Sequence, residues 1–123
     1  MEMWVFGIIL GHWLGDFFIQ DEKWTTTKSK SFKSLLKHTV TYSLFWFLVL
    51  FFWMVLGYSR GTFLDVVLFT LITFLAHTIT DFFTSRWASK LYQKNKLGSL
   101  VIWFGHILHY IQLYLTFYFI FIV

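Results

Sequence analysis

His12-Trp13-Leu14-Gly15-Asp16-Phe17-Phe18 and His77-Thr78-Ile79-Thr80-Asp81-Phe82-Phe83 share the pattern H-x-x-x-D-F-F. Each lies near the end of an apolar run and just before a basic stretch. A His and an Asp four residues apart stack on one face of a helix. Two such faces, on two helices inside a bilayer, have the means to meet and hold a metal ion.

The bilayer follows from composition. The chain of 123 residues is 58% hydrophobic and 24% aromatic, with only 13% charged residues. A soluble domain carries about 25% charged residues. So much apolar surface cannot be hidden from water by one small domain, so the chain belongs in lipid. A spanning helix needs roughly 20 apolar residues, and four such runs are expected: Met3 to Ile19, Leu35 to Leu56, Thr62 to Phe83 and Gly98 to Val123. There is no proline to break a span and no cysteine to form a disulfide or a thiolate ligand. The first run lacks the basic start and small-residue cleavage site of a signal peptide, so it is expected to stay as a helix.

The net charge is +4, and its placement sets orientation. Lys23, Lys28, Lys30, Lys33 and Lys37 lie in or beside the linker Asp21 to Ser34. Arg86, Lys90, Lys94 and Lys96 lie in the linker Thr84 to Leu97. Short loops rich in Lys and Arg stay cytoplasmic. The expected topology puts the chain in the inner membrane with both basic linkers cytoplasmic. Both termini and the Gly57–Gly61 turn then face outward. The linkers suit anionic lipid, and nucleic acid is disfavoured as a partner. Trp24 and Phe32 are candidate interfacial anchors in the first linker. The Gly7, Gly11, Gly15 series makes a smooth strip for close helix approach.

A second pattern follows each heptapeptide. His38-Thr39-Val40-Thr41-Tyr42 answers His106-Ile107-Leu108-His109-Tyr110, both H-x-x-x-Y. The expected fold is therefore an all-α integral-membrane four-helix bundle. It would be one transmembrane domain over 1–123, made of two repeated hairpins, 3–57 and 62–123. Two-helix units keep the same orientation, so the halves should be related by a pseudo-twofold along the membrane normal.

Ionisable residues inside a span are costly, at about 2.5–3.5 kcal/mol for Asp on insertion scales. His12, Asp16, His38, His77, Asp81 and His106 all fall in the expected cytoplasmic half, spread over roughly 10–15 Å of depth. Each half then offers two imidazoles and one carboxylate, a ligand set for one or two divalent ions. Mixed imidazole and carboxylate ligation favours Zn, Mn or Fe over Mg. His109 is a candidate general acid or base, or a further ligand. Gln20, Tyr42 and Tyr110 suit a surrounding shell that orients ligands or touches substrate. Arg86 and Lys90 are placed to attract an anionic head group.

The opening Gly11-His12-x-x-Gly15-Asp16-Phe17-x-x-Gln20, followed by a basic linker and His38, resembles a family of small polytopic membrane proteins of bacteria and phages. That family is known as a domain of unknown function. Its members open with H-x-x-x-D-F-x-x-Q and carry a later H-x-x-x-D. The resemblance covers most of the chain and implies an architecture rather than a reaction. The clustered His and Asp residues also look like those of membrane-bound metal-dependent hydrolases, although the chain lacks an H-x-x-T-H-S signature. The expected function is a metal-dependent hydrolase of a phosphoester or lipid-linked substrate at the cytoplasmic leaflet. The alternatives are a metal-ion or proton transporter or channel, and a structural or regulatory protein whose His–Asp pairs fasten helices. Haem ligation by His38 and His106 is a minor further option. A homo-oligomer or another membrane protein is a natural partner for so aromatic a bundle.

Overall fold

The computed structural model describes residues 2–20, 27–94 and 98–123, and at 92–94 the backbone alone. Lys23, Trp24 and Lys96, and the side chain of Lys94, therefore lie outside the described residues. Four helices form. Helix α1, Met3–Trp13, continues into a π-helical turn, Leu14–Phe18. Helix α2 is Phe32–Val55, α3 is Phe63–Lys94, and α4 is Gly98–Phe117 with a π-helical end at Tyr118–Ile122.

Local chemistry explains several of the ends. Ser31 is extended, and its hydroxyl accepts from the Ser34 N–H, so α2 starts three residues before the apolar run does. Thr62 and Asp65 cap α3 reciprocally. The Asp65 carboxylate accepts from the Thr62 N–H at 2.7 Å, and the Thr62 hydroxyl accepts from the Asp65 N–H at 3.3 Å. Gly57, at φ +82°, takes the left-handed conformation that ends the α2 hairpin arm. Helix α3 runs on past Phe83 to Lys94, so most of the expected second linker is helical.

Among the described residues, three helices are long and apolar enough to cross a membrane: Phe32–Val55, Phe63–Leu91 and Gly98–Ile122. The first apolar helix, Met3–Phe18, is shorter than the span expected for it. Its rise comes to about 24 Å, less than the ~30 Å of a hydrocarbon core.

Neighbouring helices pack antiparallel in a closed ring. Gly11 meets Trp46 and Gly15 meets Tyr42, joining α1 to α2. Trp46 meets Phe69, joining α2 to α3. Gly105 meets Thr84, joining α3 to α4, and Trp4 stacks on Phe117, joining α4 to α1. The glycine strip works at two of its three positions, since a Cβ on Gly7 would meet nothing.

The interior divides along its length. One part is apolar: Ile8, Tyr42, Trp46, Leu50, Val66, Phe69, Leu113 and Phe117 form its core. The other is polar, with His12, Asp16, His38, His77, Asp81 and His109 all buried. The outside is apolar instead. Leu64, Leu75, Ile79, Phe52 and Leu48 are all exposed. An apolar surface this continuous is untenable in water and natural in lipid.

Candidate metal centre

Asp16 lies in the π-helical turn, where the Ile19 N–H reaches back to the Leu14 carbonyl at 3.1 Å. Such turns recur at functional sites because they rotate a side chain out of the α-helical register. His12 and Asp16 are consequently looser than their counterparts on α3. His12 Nε2 lies 3.8 Å from Asp16 Oδ2, whereas His77 Nε2 lies 3.3 Å from Asp81 Oδ2. The two heptapeptides match in sequence and differ in backbone.

The centre is built around four atoms. His38 Nε2 lies 2.9 Å from Asp16 Oδ1, 3.1 Å from Asp81 Oδ2 and 3.2 Å from His77 Nε2. His77 Nε2 lies 3.5 Å from Asp16 Oδ1. Asp16 Oδ1 is buried without a well-aligned hydrogen bond. A ring nitrogen carries a proton or a lone pair, so these contacts cannot all be donor–acceptor pairs at once. A tetrahedral ion with bonds of about 2.0–2.1 Å has ligand–ligand edges of about 3.3 Å, within the range of these separations. His38, His77, Asp16 and Asp81 therefore fit a divalent ion.

A second group shares Asp16. His12 Nε2 lies 3.2 Å from His106 Nδ1, and that nitrogen lies 3.5 Å from Asp16 Oδ2. The six expected ligands thus come together, but not as one set per half. The ring of helices puts α2 against α3 and α4 against α1. His38 therefore faces His77, and His12 faces His106.

The other expected residues divide. His109 donates from Nε2 to Asp81 Oδ1 at 2.8 Å and stacks on His77 with ring centroids 4.0 Å apart. The Tyr42 hydroxyl lies 2.8 Å from His12 Nδ1, and its ring stacks on His77. Tyr110 meets the His12 ring at 4.5 Å. Gln20 donates to the Gly15 and His38 carbonyls at 2.9 and 3.2 Å, closing the end of α1 onto α2 rather than touching a ligand atom. Arg86 spends its guanidinium on its own helix, bonding the Phe82 carbonyl and covering the Phe82 ring. Lys90 is exposed. His38 and His77 have no partner for Nδ1 among the described residues, unlike most metal-binding histidines.

Sequence reasoning missed Lys28. A turn at Thr27, closed by bonds from the Lys30 and Ser31 N–H groups, brings its ammonium 2.9 Å from Asp81 Oδ2. Burial works to lower the Lys28 ammonium, but the charges of Asp81 and Asp16 outweigh it and hold it above its usual value. The only signal in the sequence was a polar, Thr- and Lys-rich linker without helical period, and linker reach has no periodicity to read.

Residues 5–123 match the model of a family described as a protein of unknown function, DUF3307. The chain belongs to this family. That agrees with the resemblance carried by the Gly11–Gln20 motif. The likeness to membrane-bound hydrolases is not shown by the DUF3307 match. No curated protein and no solved structure matches the chain.

Proposed function

We propose that this DUF3307 protein is an integral-membrane, metal-dependent hydrolase acting on a phosphoester or lipid-linked substrate at the cytoplasmic leaflet. The reading rests on one observation: Asp16, His38, His77 and Asp81 aim lone-pair donors at a common point inside an apolar bundle. A divalent ion held there by Asp16, His38, His77 and Asp81 would supply Lewis acidity toward a phosphoryl group and would lower the pKa of water toward neutrality. His109 fixes Asp81 through the carboxylate oxygen that does not face His38, and is the candidate general acid or base beside the centre. Lys28, paired with Asp81, adds positive charge to the centre itself.

Transport is less well supported. Beyond the cluster, Gln112 bonded to Thr73 and Thr116 carries polarity one or two turns further, but Trp46, Leu50, Phe69, Leu113 and Phe117 fill the rest of the interior and offer little for an ion to follow through one chain. A role in fastening helices has one observation in its favour: the ion pair of Lys28 with Asp81 compensates that carboxylate without metal.

The same reading makes 3–57 and 62–123 two copies of one hairpin, related by a pseudo-twofold along the membrane normal. Support comes from Asp16 and Asp81, which approach the same two imidazole nitrogens. The basic linkers are read as cytoplasmic and the termini as external, in the inner membrane.

Metal analysis of protein purified in detergent tests the centre. At least one Zn, Mn or Fe ion per chain is expected, lost in His77→Ala and Asp81→Ala. Hydrolysis of a lipid phosphoester in mixed micelles should disappear with the same variants. Metal-free protein that stays folded and keeps the variants' melting temperatures unchanged overturns the reading.

A further inference from the structure

The two oxygens of Asp16 face different partners. Oδ1 lies 2.9 and 3.5 Å from His38 and His77 Nε2. Oδ2 lies 3.5 Å from His106 Nδ1 and 3.8 Å from His12 Nε2, and those two nitrogens are 3.2 Å apart. In the tautomer whose Nδ1–H donates to the Tyr42 hydroxyl, His12 Nε2 keeps its lone pair turned toward Asp16 and His106. Asp16 is only 3% exposed, and Oδ1 has no well-aligned hydrogen bond of its own.

We infer that the protein binds two divalent ions, bridged by the Asp16 carboxylate, and that the two sites are unequal. This rests on the metal-centre reading above and adds a second site to it. His38, His77, Asp81 and Asp16 Oδ1 give the first ion four protein donors, so it takes up water or substrate only by expanding to five-coordinate. His12, His106 and Asp16 Oδ2 give the second ion three donors, which leaves a position open, as in catalytic sites. Two ions bridged in this way stand roughly 3.5–4 Å apart, the spacing that clamps a phosphoryl group.

The open position has somewhere to face. His106 lines a cavity of about 550 Å³ together with Trp13, Phe17, Ile102, Trp103 and Tyr110. Trp13, Phe17, Ile102 and Trp103 are also exposed on the apolar outside of the bundle, at the seam of α1 and α4. An amphiphile dissolved in the bilayer reaches this cavity sideways. Two divalent ions carry more charge than Asp16 and Asp81 neutralise, and Lys28 adds to the excess. The ligand that completes the second ion is thus an anionic phosphoester carrying an apolar chain.

The test counts ions in full-length protein stripped by a chelator, reloaded with Mn(II) and washed. Two per chain are expected in the native sequence, falling to one in His12→Ala and in His106→Ala. Electron paramagnetic resonance of the native protein should show an exchange-coupled Mn(II) pair, replaced by an isolated ion in His106→Ala. The native spectrum needs no variant to fold. Inorganic phosphate should perturb the coupled signal and leave the isolated one unchanged. One uncoupled ion per chain overturns the second site and spares the first. No bound ion overturns both. Two ions retained in both variants place the second ion elsewhere and overturn the inference too, as does a coupled pair that phosphate does not perturb.

Discussion

At the residue scale, the centre depends on a few side chains that hold others in place. Tyr42 is the clearest. Its hydroxyl meets His12 Nδ1 while its ring lies flat on His77, so one residue orients imidazoles from two helices. Tyr42→Phe keeps the ring and removes the hydroxyl. Loss of such a partner lowers metal affinity by about 10–100-fold. Competition titration with a chromophoric chelator should find that loss in the site that uses His12, while the four-donor site keeps its affinity. Lys28 makes a different prediction. Lys28→Ala leaves the Asp81 charge buried with less compensation and should cost about 1–3 kcal/mol in metal-stripped protein. A bound Zn(II) takes over that compensation, so the cost should shrink on loading. Melting curves with and without Zn(II) check it; an equal shift in both states counts against the placement of Lys28 beside the ion.

At the element scale, the π-helical turn of α1 and the closeness of α1 to α2 determine where Asp16 points. Gly11 and Gly15 let α1 lie against aromatic side chains. A Cβ on Gly11 would come 2.6 Å from the Trp46 ring. Gly11→Ala therefore forces the two helices apart and should cost about 1–3 kcal/mol, as overpacking does. Gly7→Ala is the internal control, because nothing lies within 4 Å of that Cβ. It should leave stability unchanged or raise it slightly, since alanine loses less backbone entropy in a helix. If denaturation in mild detergent shows Gly7→Ala to be the worse of the pair, α1 is packed through another face. Motion of α1 also moves Asp16, so Gly11→Ala should weaken metal binding without altering any ligand.

At the scale of the whole molecule, the polar part of the interior sits at the end where Thr27–Lys30 and the Gln20 turn lie, and the apolar core lies beyond it. The proposed topology puts that end at the cytoplasm. The chain has no cysteine of its own, so single cysteines report sidedness directly. Lys33→Cys should be protected from an impermeant thiol reagent in intact cells and labelled after lysis, whereas Ser59→Cys should be labelled in both. The reverse pattern inverts the topology and moves the proposed substrate to the other leaflet.

Hydropathy and residue type are local properties, and they made much of this protein legible from its sequence. The apolar runs announced four helices, and the paired heptapeptides picked out His12, Asp16, His77 and Asp81. Each of those residues is buried, as a polar group inside a span must be when lipid offers it no partner. Which of them meet was decided only by tertiary packing. The closed ring sets His38 against His77 and His12 against His106, so the donors group across the two halves rather than within each. The π-helical turn at Leu14–Phe18 and the return of Lys28 to Asp81 also belong to the folded state. The physical reason is shared: a helix's apolar length follows from consecutive residues. The partner of a buried nitrogen depends on neighbours distant in the chain, on helix rotation and on how far a linker reaches.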